Sequence, residues 1–385
     1  MTAQPPPADM TLQRSSRDAG AAAASLTAWL REQLPEQADP AVVVHEGVQT
    51  NGMSSETLLL AVTTTEPGTT GAIEAPERRT REYVARVAPD PRDLPVFPVY
   101  RLGDQYDAMR LAGELAGVPT PPLWLSEPTG AVLGTPFFLM HRLDGAVPPD
   151  VLPYPFGDNW IFDASPEQQR HLQEASVEVL ARLHAVDGAR FAFLDPALTG
   201  HAGATPLARN LAKTRAWYDY AVQQGGARSP LVERGLAWLA ARLPSEDDPV
   251  LVWGDARIGN MMYRDFTPVA VLDWEMATLG PRELDVAWMV FAHEVFQEIA
   301  VMLGLPGMPD FLREDDVVAA YERLSGVALG DLTWFRVHAA VSWACVFLRT
   351  SARQIHFGEI EPPTDPEAVF HHRPLFERLL DQVGA

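Results

Sequence analysis

The stretch Leu251–Glu275, LVWGDARIGNMMYRDFTPVAVLDWE, decides the fold. It predicts three short strands separated by two turns. Leu251-Val252-Trp253 is apolar and ends at Gly254-Asp255, and Asn260–Arg264 (NMMYR) follows after a four-residue gap. Arg264–Pro268 make a polar turn containing a proline, and Val269–Trp274 (VAVLDW) is the next apolar run. Three polar residues interrupt this apolar frame: Asp255, Asn260 and Asp273. An Asp directly after Val271-Leu272 on a buried strand is costly unless a charge or a hydrogen-bond donor meets it.

The residue types and spacing, Asp-x4-Asn and then a second Asp thirteen residues on, suit phosphoryl transfer. That reaction needs a carboxylate to orient and deprotonate an attacking hydroxyl. It also needs hard oxygen ligands for a divalent ion, and cations or backbone N–H groups on the phosphates. Asp255 follows a strand and a glycine, so it projects from a loop and suits the first task. Asn260 and Asp273 suit the second, because Mg²⁺ keeps several waters and takes few protein oxygens. No Cys or His accompanies them, so zinc is not indicated. A blander reading makes Asp255 and Asn260 loop formers and Asp273 half of a buried ion pair; the combined spacing argues against it.

Trp253–Asn260 (WGDARIGN) and Val271–Trp288 (VLDWEMATLGPRELDVAW) resemble the HGD-x4-N and LDWE-x-A-x-x-G-x-x-x-x-D-x-A signatures of the aminoglycoside phosphotransferase family. These are protein-kinase-like kinases of small molecules, and the LDWE-ATLG form is most similar to the branch associated with acyl-CoA dehydrogenases. The similarity covers about residues 40–350. It implies an α+β, bilobal protein-kinase-like fold, with an antiparallel-sheet N-lobe, a mainly helical C-lobe, and ATP between them. It also implies that Asp255 is the catalytic base and that Asn260 and Asp273 are the Mg²⁺ ligands. Arg86, on the strand Arg81–Val87, falls where the family has its phosphate-pairing Lys or Arg. Gln49–Glu56 resembles the family's G-x-S-N-E-T loop, in which Gly52 permits close backbone approach and Ser54 and Ser55 donate to phosphate. Met140-His141-Arg142 resembles the interlobe hinge, which places Met140 and Arg142 beside adenine.

Three positions depart from the family pattern. Trp253 replaces its His, Arg86 replaces the commoner Lys, and Asp104-Gln105-Tyr106 stands where a helix usually carries a Glu. Arg keeps the cation and can fork onto phosphate, although it is not equivalent to Lys. The departures keep open a second reading, a nucleotide-binding, pseudokinase-like protein acting through protein contacts. Asp285 reads as a brace for the loop, His184 as a hydrogen-bonding group at a helix end, and Glu275 as a neighbour facing Mg²⁺ or substrate.

The totals fit this frame. At 385 residues the chain is long enough for two lobes. The one cysteine, Cys345, lies in the apolar run VHAAVSWACVF and reads as a small buried hydrophobe in a reducing compartment. Thirty Lys+Arg against 51 Asp+Glu give a net charge of −21, which argues against nucleic acid as a partner and is compatible with a cationic small-molecule hydroxyl substrate. The N-terminus lacks an apolar signal region, and no run reaches the ~18 residues of a spanning helix. A cytoplasmic protein with no membrane partner is expected.

Along the chain, residues 1–18 are Pro-rich and read as a disordered tail. Residues 19–140 read as the N-lobe: a helix over Ala21–Leu34, strands at Val42–Val44, Glu56–Val62, Arg81–Val87 and Phe137–Leu143, and one inserted helix at Tyr106–Leu115. Residues 141–385 read as the C-lobe. Its helices include one launched by the capping box Ser165-Pro166-Glu167-Gln168, and a last one over Pro366–Val383 that would carry His371 and His372 on diverging faces.

Overall fold

The computed structural model of the chain describes residues 17–45, 55–66, 77–150, 153–245 and 248–385. Contacts divide it into two compact units, Met1–Val96 with Pro122–Arg142, and Phe97–Pro121 with Leu143–Ala385.

The first unit is one antiparallel sheet with a helix on it. Its strands are β1 (Ala41–Val44), β2 (Glu56–Glu66), β3 (Glu77–Val87), β4 (Leu123–Glu127) and β5 (Phe137–His141), in the order β1-β2-β3-β5-β4. The helix α1 (Ala19–Gln33) buries Leu26, Trp29 and Leu30 against Leu60, Val62, Ala85 and Phe137, the inward side of the sheet. Burying such side chains contributes roughly 1.5–3 kcal/mol each before entropy is counted. Asp18, expected in the disordered tail, instead caps α1 by accepting the Ala21 N–H at 2.7 Å. Arg17 beside it pairs with Glu56 at 2.9 Å. Residues 1–16 of that expected tail lie outside the described residues. The strand β4 was not legible, because the prolines before it conceal a short half-buried run.

The second unit begins with α2 (Leu102–Ala116), the helix the sequence reading placed in the N-lobe. It groups with the C-terminal residues because it packs on α3 (Pro166–His184), where Arg182 donates to Ala116 O at 3.1 Å. The Ser165 capping box forms as expected: Ser165 Oγ accepts the Gln168 N–H and Gln168 Oε1 accepts the Ser165 N–H. The same device of a hydroxyl cap followed by Pro at the first helical position starts α4 (Pro206–Gln223) after Thr205 and α5 (Pro230–Ala241) after Ser229.

The Leu251–Glu275 region folds as β6 (Val250–Val252), β7 (Met261–Arg264) and β8 (Thr267–Val271), the three expected strands. A fourth, β9 (Thr278–Gly280), pairs with β6. It is too short to carry an alternating pattern. Then follow α6 (Glu283–Met302), α7 (Glu314–Ser325), α8 (Thr333–His356) and α9 (Arg373–Gln382). The helix α8 is the packing centre, touching α4, α5, α6 and α9. Cys345 is buried on it, and burial pushes its thiol up to about 12, so it is inert as expected. His372 lies before α9, not within a helix; it is buried, with Nε2 against Ala340 O at 3.1 Å. No helix among the described residues is long and apolar enough to cross a membrane.

Candidate active site

Gly254 turns the chain out of β6 with φ +92, and a Cβ there would lie 2.4 Å from Met276 O. Only glycine adopts this conformation in that space without strain. The turn is fastened from below by Asp285 on α6, which is fully buried. Its Oδ2 accepts the Trp253 N–H at 2.7 Å and its Oδ1 accepts the Gly254 N–H at 2.8 Å. His184 at the end of α3 donates Nε2–H to Asp285 Oδ2 at 3.1 Å, while its Nδ1 accepts the Tyr321 hydroxyl at 2.9 Å. A carboxylate taking three donors in a dry interior is both satisfied and rigid. The brace expected of Asp285 and the hydrogen-bonding role expected of His184 are two ends of one network.

Asp255 is the residue this turn presents. Its Oδ1 accepts the Trp288 Nε1–H at 2.7 Å, and its Oδ2 accepts the Asn260 amide at 2.6 Å. Arg257 Nε reaches both oxygens at 3.1 and 3.2 Å, and the same guanidinium pairs with Asp150 at 2.5 Å. Burial pulls the Arg257 pKa down, but Asp150, Asp255 and Asp273 outweigh it and hold the guanidinium above its ordinary value. The arrangement fixes a carboxylate on a loop while leaving it partly open, with 17% of its side chain exposed.

The β7–β8 hairpin brings the backbones at Asn260 and Asp273 near each other in register. Met261 pairs with Val271, and the Leu272 N–H donates to Asn260 O at 2.8 Å, so Asp273 is one residue beyond Asn260's partner. Asp273 is not on a strand, as the sequence reading had it. It follows the end of β8 in the left-handed region at φ 56, which costs a non-glycine residue about 1 kcal/mol or more. Trp253 compensates: its fully buried indole Nε1 donates to Leu272 O at 3.0 Å and Asp273 O at 3.2 Å. The replacement of the family His therefore retains a loop-organising donor. Asn260's NH₂ is spent on Asp255, so its carbonyl oxygen faces away from that carboxylate. The Asn260 amide oxygen and the Asp273 carboxylate are hard oxygen donors, the type that Mg²⁺ takes. Among the described residues no group of three His, Cys, Asp or Glu could hold a metal by itself.

The remaining candidates lie on the first unit. Arg86 is 9% exposed and donates to Thr57 Oγ1 and Ser55 Oγ, both at 3.1 Å. Thr57 is its cross-strand partner, so the sheet register brings Arg86 and Ser55 together. Gly52 and Ser54 lie outside the described residues. Met140 is buried on β5 between β3 and β4. The Arg142 N–H donates to Glu82 O at 3.1 Å and the His141 N–H to Pro122 O at 2.8 Å, so both backbone donors are used by the sheet. Of the two residues weighed in place of the helix Glu, Asp104 pairs with Arg101 at 2.8 Å and Gln105 is buried.

Sequence reasoning missed Arg257, Asp150 and the role of Trp288. Arg257 sits two residues after Asp255, a spacing with no periodic meaning on a loop, and Asp150 is 107 residues away. Trp288 is one of several tryptophans that a sequence reading leaves between pocket surface and core; its place on α6, three residues after the buried Asp285, aims it back at the same loop.

The sequence pattern of the phosphotransferase enzyme family (APH) matches residues 73–329. Human acyl-CoA dehydrogenase family member 11 is 30% identical over 174 residues, 44% of this chain and 20% of its own length. Member 10 from mouse is 26% identical over 245 residues, 60% of this chain and 21% of its own length. The chain thus spans less than a third of the curated relatives it matches. Among solved structures, a Ralstonia eutropha protein assigned as an aminoglycoside phosphotransferase superposes with TM-score 0.60 at 20% identity, covering 93% of this chain and 97% of the other. Aminoglycoside phosphotransferase APH(4)-Ia, in a ternary complex with ADP and hygromycin B, superposes with TM-score 0.50 at 13% identity, covering 94% and 99%. The match across most of the length, and the sheet and helical units found, mean that this chain belongs to the phosphotransferase enzyme family and has its kinase-like fold.

Proposed function

We propose that this protein transfers the γ-phosphoryl group of Mg·ATP to a hydroxyl of a small molecule, with Asp255 as the base. The observation that carries the reading is the setting of Asp255: Trp288, Asn260 and Arg257 hold both of its oxygens on a loop that Asp285 pins from behind. Such a carboxylate is preorganised to orient an acceptor hydroxyl and take its proton as the new O–P bond forms and the bond to the ADP oxygen breaks. Asn260 and Asp273 would hold Mg²⁺, which supplies charge neutralisation at the transferring phosphate. Arg86 and Ser55 are the groups we assign to the nucleotide phosphates. A structural neighbour in a ternary complex with ADP supports the nucleotide, and the donor set on this chain supports Mg²⁺ over zinc.

The test is a coupled ADP-release screen of hydroxyl compounds, with Asp273→Ala protein as the blank, beside a thermal-shift titration with Mg·ATP. ADP release that depends on both an acceptor and Asp273 is expected. Absence of any thermal shift with Mg·ATP would overturn nucleotide use altogether. A shift with no acceptor in a broad screen would favour the pseudokinase-like alternative.

A further inference from the structure

The helix α4 carries Lys213 into a narrow pocket that it lines together with Gly254, Met276, Trp288, His338 and Ser342. Two of these residues belong to the Asp255 setting: Gly254 precedes it, and the Trp288 indole donates to it. The Lys213 side chain is crowded by protein and partly desolvated, while the residue keeps intermediate exposure. Its Nζ lies 5.4 Å from the centre of the Trp217 ring, a cation–π contact that offsets part of the desolvation. No carboxylate among the described residues is within ion-pair distance of it, although the chain carries 51 acidic residues. Burial alone lowers its pKa, to about 8, so the ammonium is still mostly protonated at neutral pH.

The other polar groups on the pocket wall do not satisfy it. His338 is pushed down to about 3 by burial and then by Lys213 itself, so it is neutral, and its Nε2 is engaged with Thr214 Oγ1 at 3.0 Å. The Asn210 amide is spent on Leu279 O and Thr278 Oγ1. Ser342 presents a second unmet donor: its hydroxyl is buried and has no hydrogen-bond partner. A partly desolvated ammonium with no carboxylate beside it and a buried hydroxyl with no partner are both groups that a ligand acceptor would stabilise. The free volume of the pocket, about 30 Å³, is that of one small polar group and excludes a sugar ring.

We infer that Lys213 and Ser342 form an anion subsite beside Asp255, so that the acceptor is a hydroxyl compound bearing a carboxylate and not a polycation. The inference rests on the phosphotransferase reading for the word acceptor, and on the pocket alone for the word anion. A carboxylate seated there takes a charge-assisted hydrogen bond from Nζ and a second from Ser342 Oγ. Its hydroxyl end then extends past Trp288 toward the base. Lys213 is thereby a specificity residue, which the net charge of −21 conceals.

The experiment titrates the full chain, without nucleotide, with straight-chain ω-hydroxycarboxylates of two to six carbons and the matching diols, by calorimetry. The parent protein is compared with Lys213→Met and Lys213→Arg. At least one hydroxycarboxylate is expected to bind about 10-fold or more tighter than its diol, with Lys213→Met losing that preference and Lys213→Arg keeping part of it. Lys213→Met is also expected to melt at a higher temperature than the parent, because it removes a partly desolvated charge with no carboxylate beside it, and this shows that the lost binding is not lost folding. Equal binding of acids and diols, binding of neither, or an unchanged preference in Lys213→Met would overturn the anion subsite. Phosphoryl transfer to neutral or cationic acceptors unaffected by Lys213→Met would overturn the subsite while sparing the phosphotransferase. Tight hydroxycarboxylate binding without transfer in the presence of Mg·ATP would spare the subsite and count against the phosphotransferase.

Discussion

The Trp288 indole N–H donates to Asp255 Oδ1 at 2.7 Å, so one helix, α6, sets the orientation of the loop carboxylate. The same helix holds the backbone of that loop through Asp285. The carboxylate and the chain that bears it are therefore both tied to one rigid element, a setting that suits the proposed base.

Trp288→Phe keeps the ring in the core and removes the donor. Loss of one charge-assisted hydrogen bond is expected to lower kcat about 10-fold with little change in KM for ATP. Steady-state kinetics check it. An unchanged kcat would show that Asp255 does not need this orientation.

Arg257 bridges Asp255 and Asp150, and removing it leaves two partly buried carboxylates facing each other without their cation. Arg257→Ala is expected to reduce kcat/KM by roughly 100-fold or more, and the Asp150→Ala/Arg257→Ala pair to be less damaging than the sum of the singles. Arg257→Lys restores the charge without the fork and should recover only part of the loss. Strict additivity in the double-mutant cycle would contradict the bridge.

Asp285 accepts three donors in the dry interior, so Asp285→Asn turns an acceptor into a donor against backbone N–H groups. The expected loss of stability is about 2 kcal/mol or more, read by chemical denaturation. A variant as stable as the parent would show that the loop is held by something else.

Three histidines are held neutral: desolvation lowers His293 to about 4 and His372 to about 3, and desolvation with the Lys213 charge lowers His338 to about 3. In the unfolded chain each takes up a proton near pH 6.5, whereas in the folded chain none does until several pH units lower. The unfolded state therefore binds more protons between those values, and stability falls as pH falls through that window. From pH 6.5 to 5 the loss should be about 2 kcal/mol for each of the three, to order of magnitude. Denaturation at pH 7 and pH 5 tests it; equal stability at the two values would contradict the burial of neutral imidazoles.

Much of this was legible in the sequence, and the reasons differ by residue. The neighbourhood of Asp255 and Asn260 could be read because a carboxylate and an amide inside an apolar run have few structural excuses, and the structure joins the two by a hydrogen bond. The helix start at Ser165 could be read because capping is local chemistry. The left-handed turn at Asp273 could not, since the pull of Trp253 on its carbonyl comes from twenty residues upstream. The grouping of α2 with the C-terminal unit was likewise hidden: it depends on Arg182 reaching Ala116 O, a contact between residues 66 positions apart. Lys213 is the single lysine of the chain, but nothing in a sequence reports that a charge has no partner.

The most direct measurement is transfer of labelled γ-phosphate from ATP by Asp255→Asn, a substitution that keeps the side-chain shape at a partly open position while removing the proposed base. Melting temperature within a few degrees of the parent, with kcat reduced by roughly 100-fold or more, is the expected result. Transfer at the parent rate by a folded Asp255→Asn protein would contradict the assignment of Asp255 as the base.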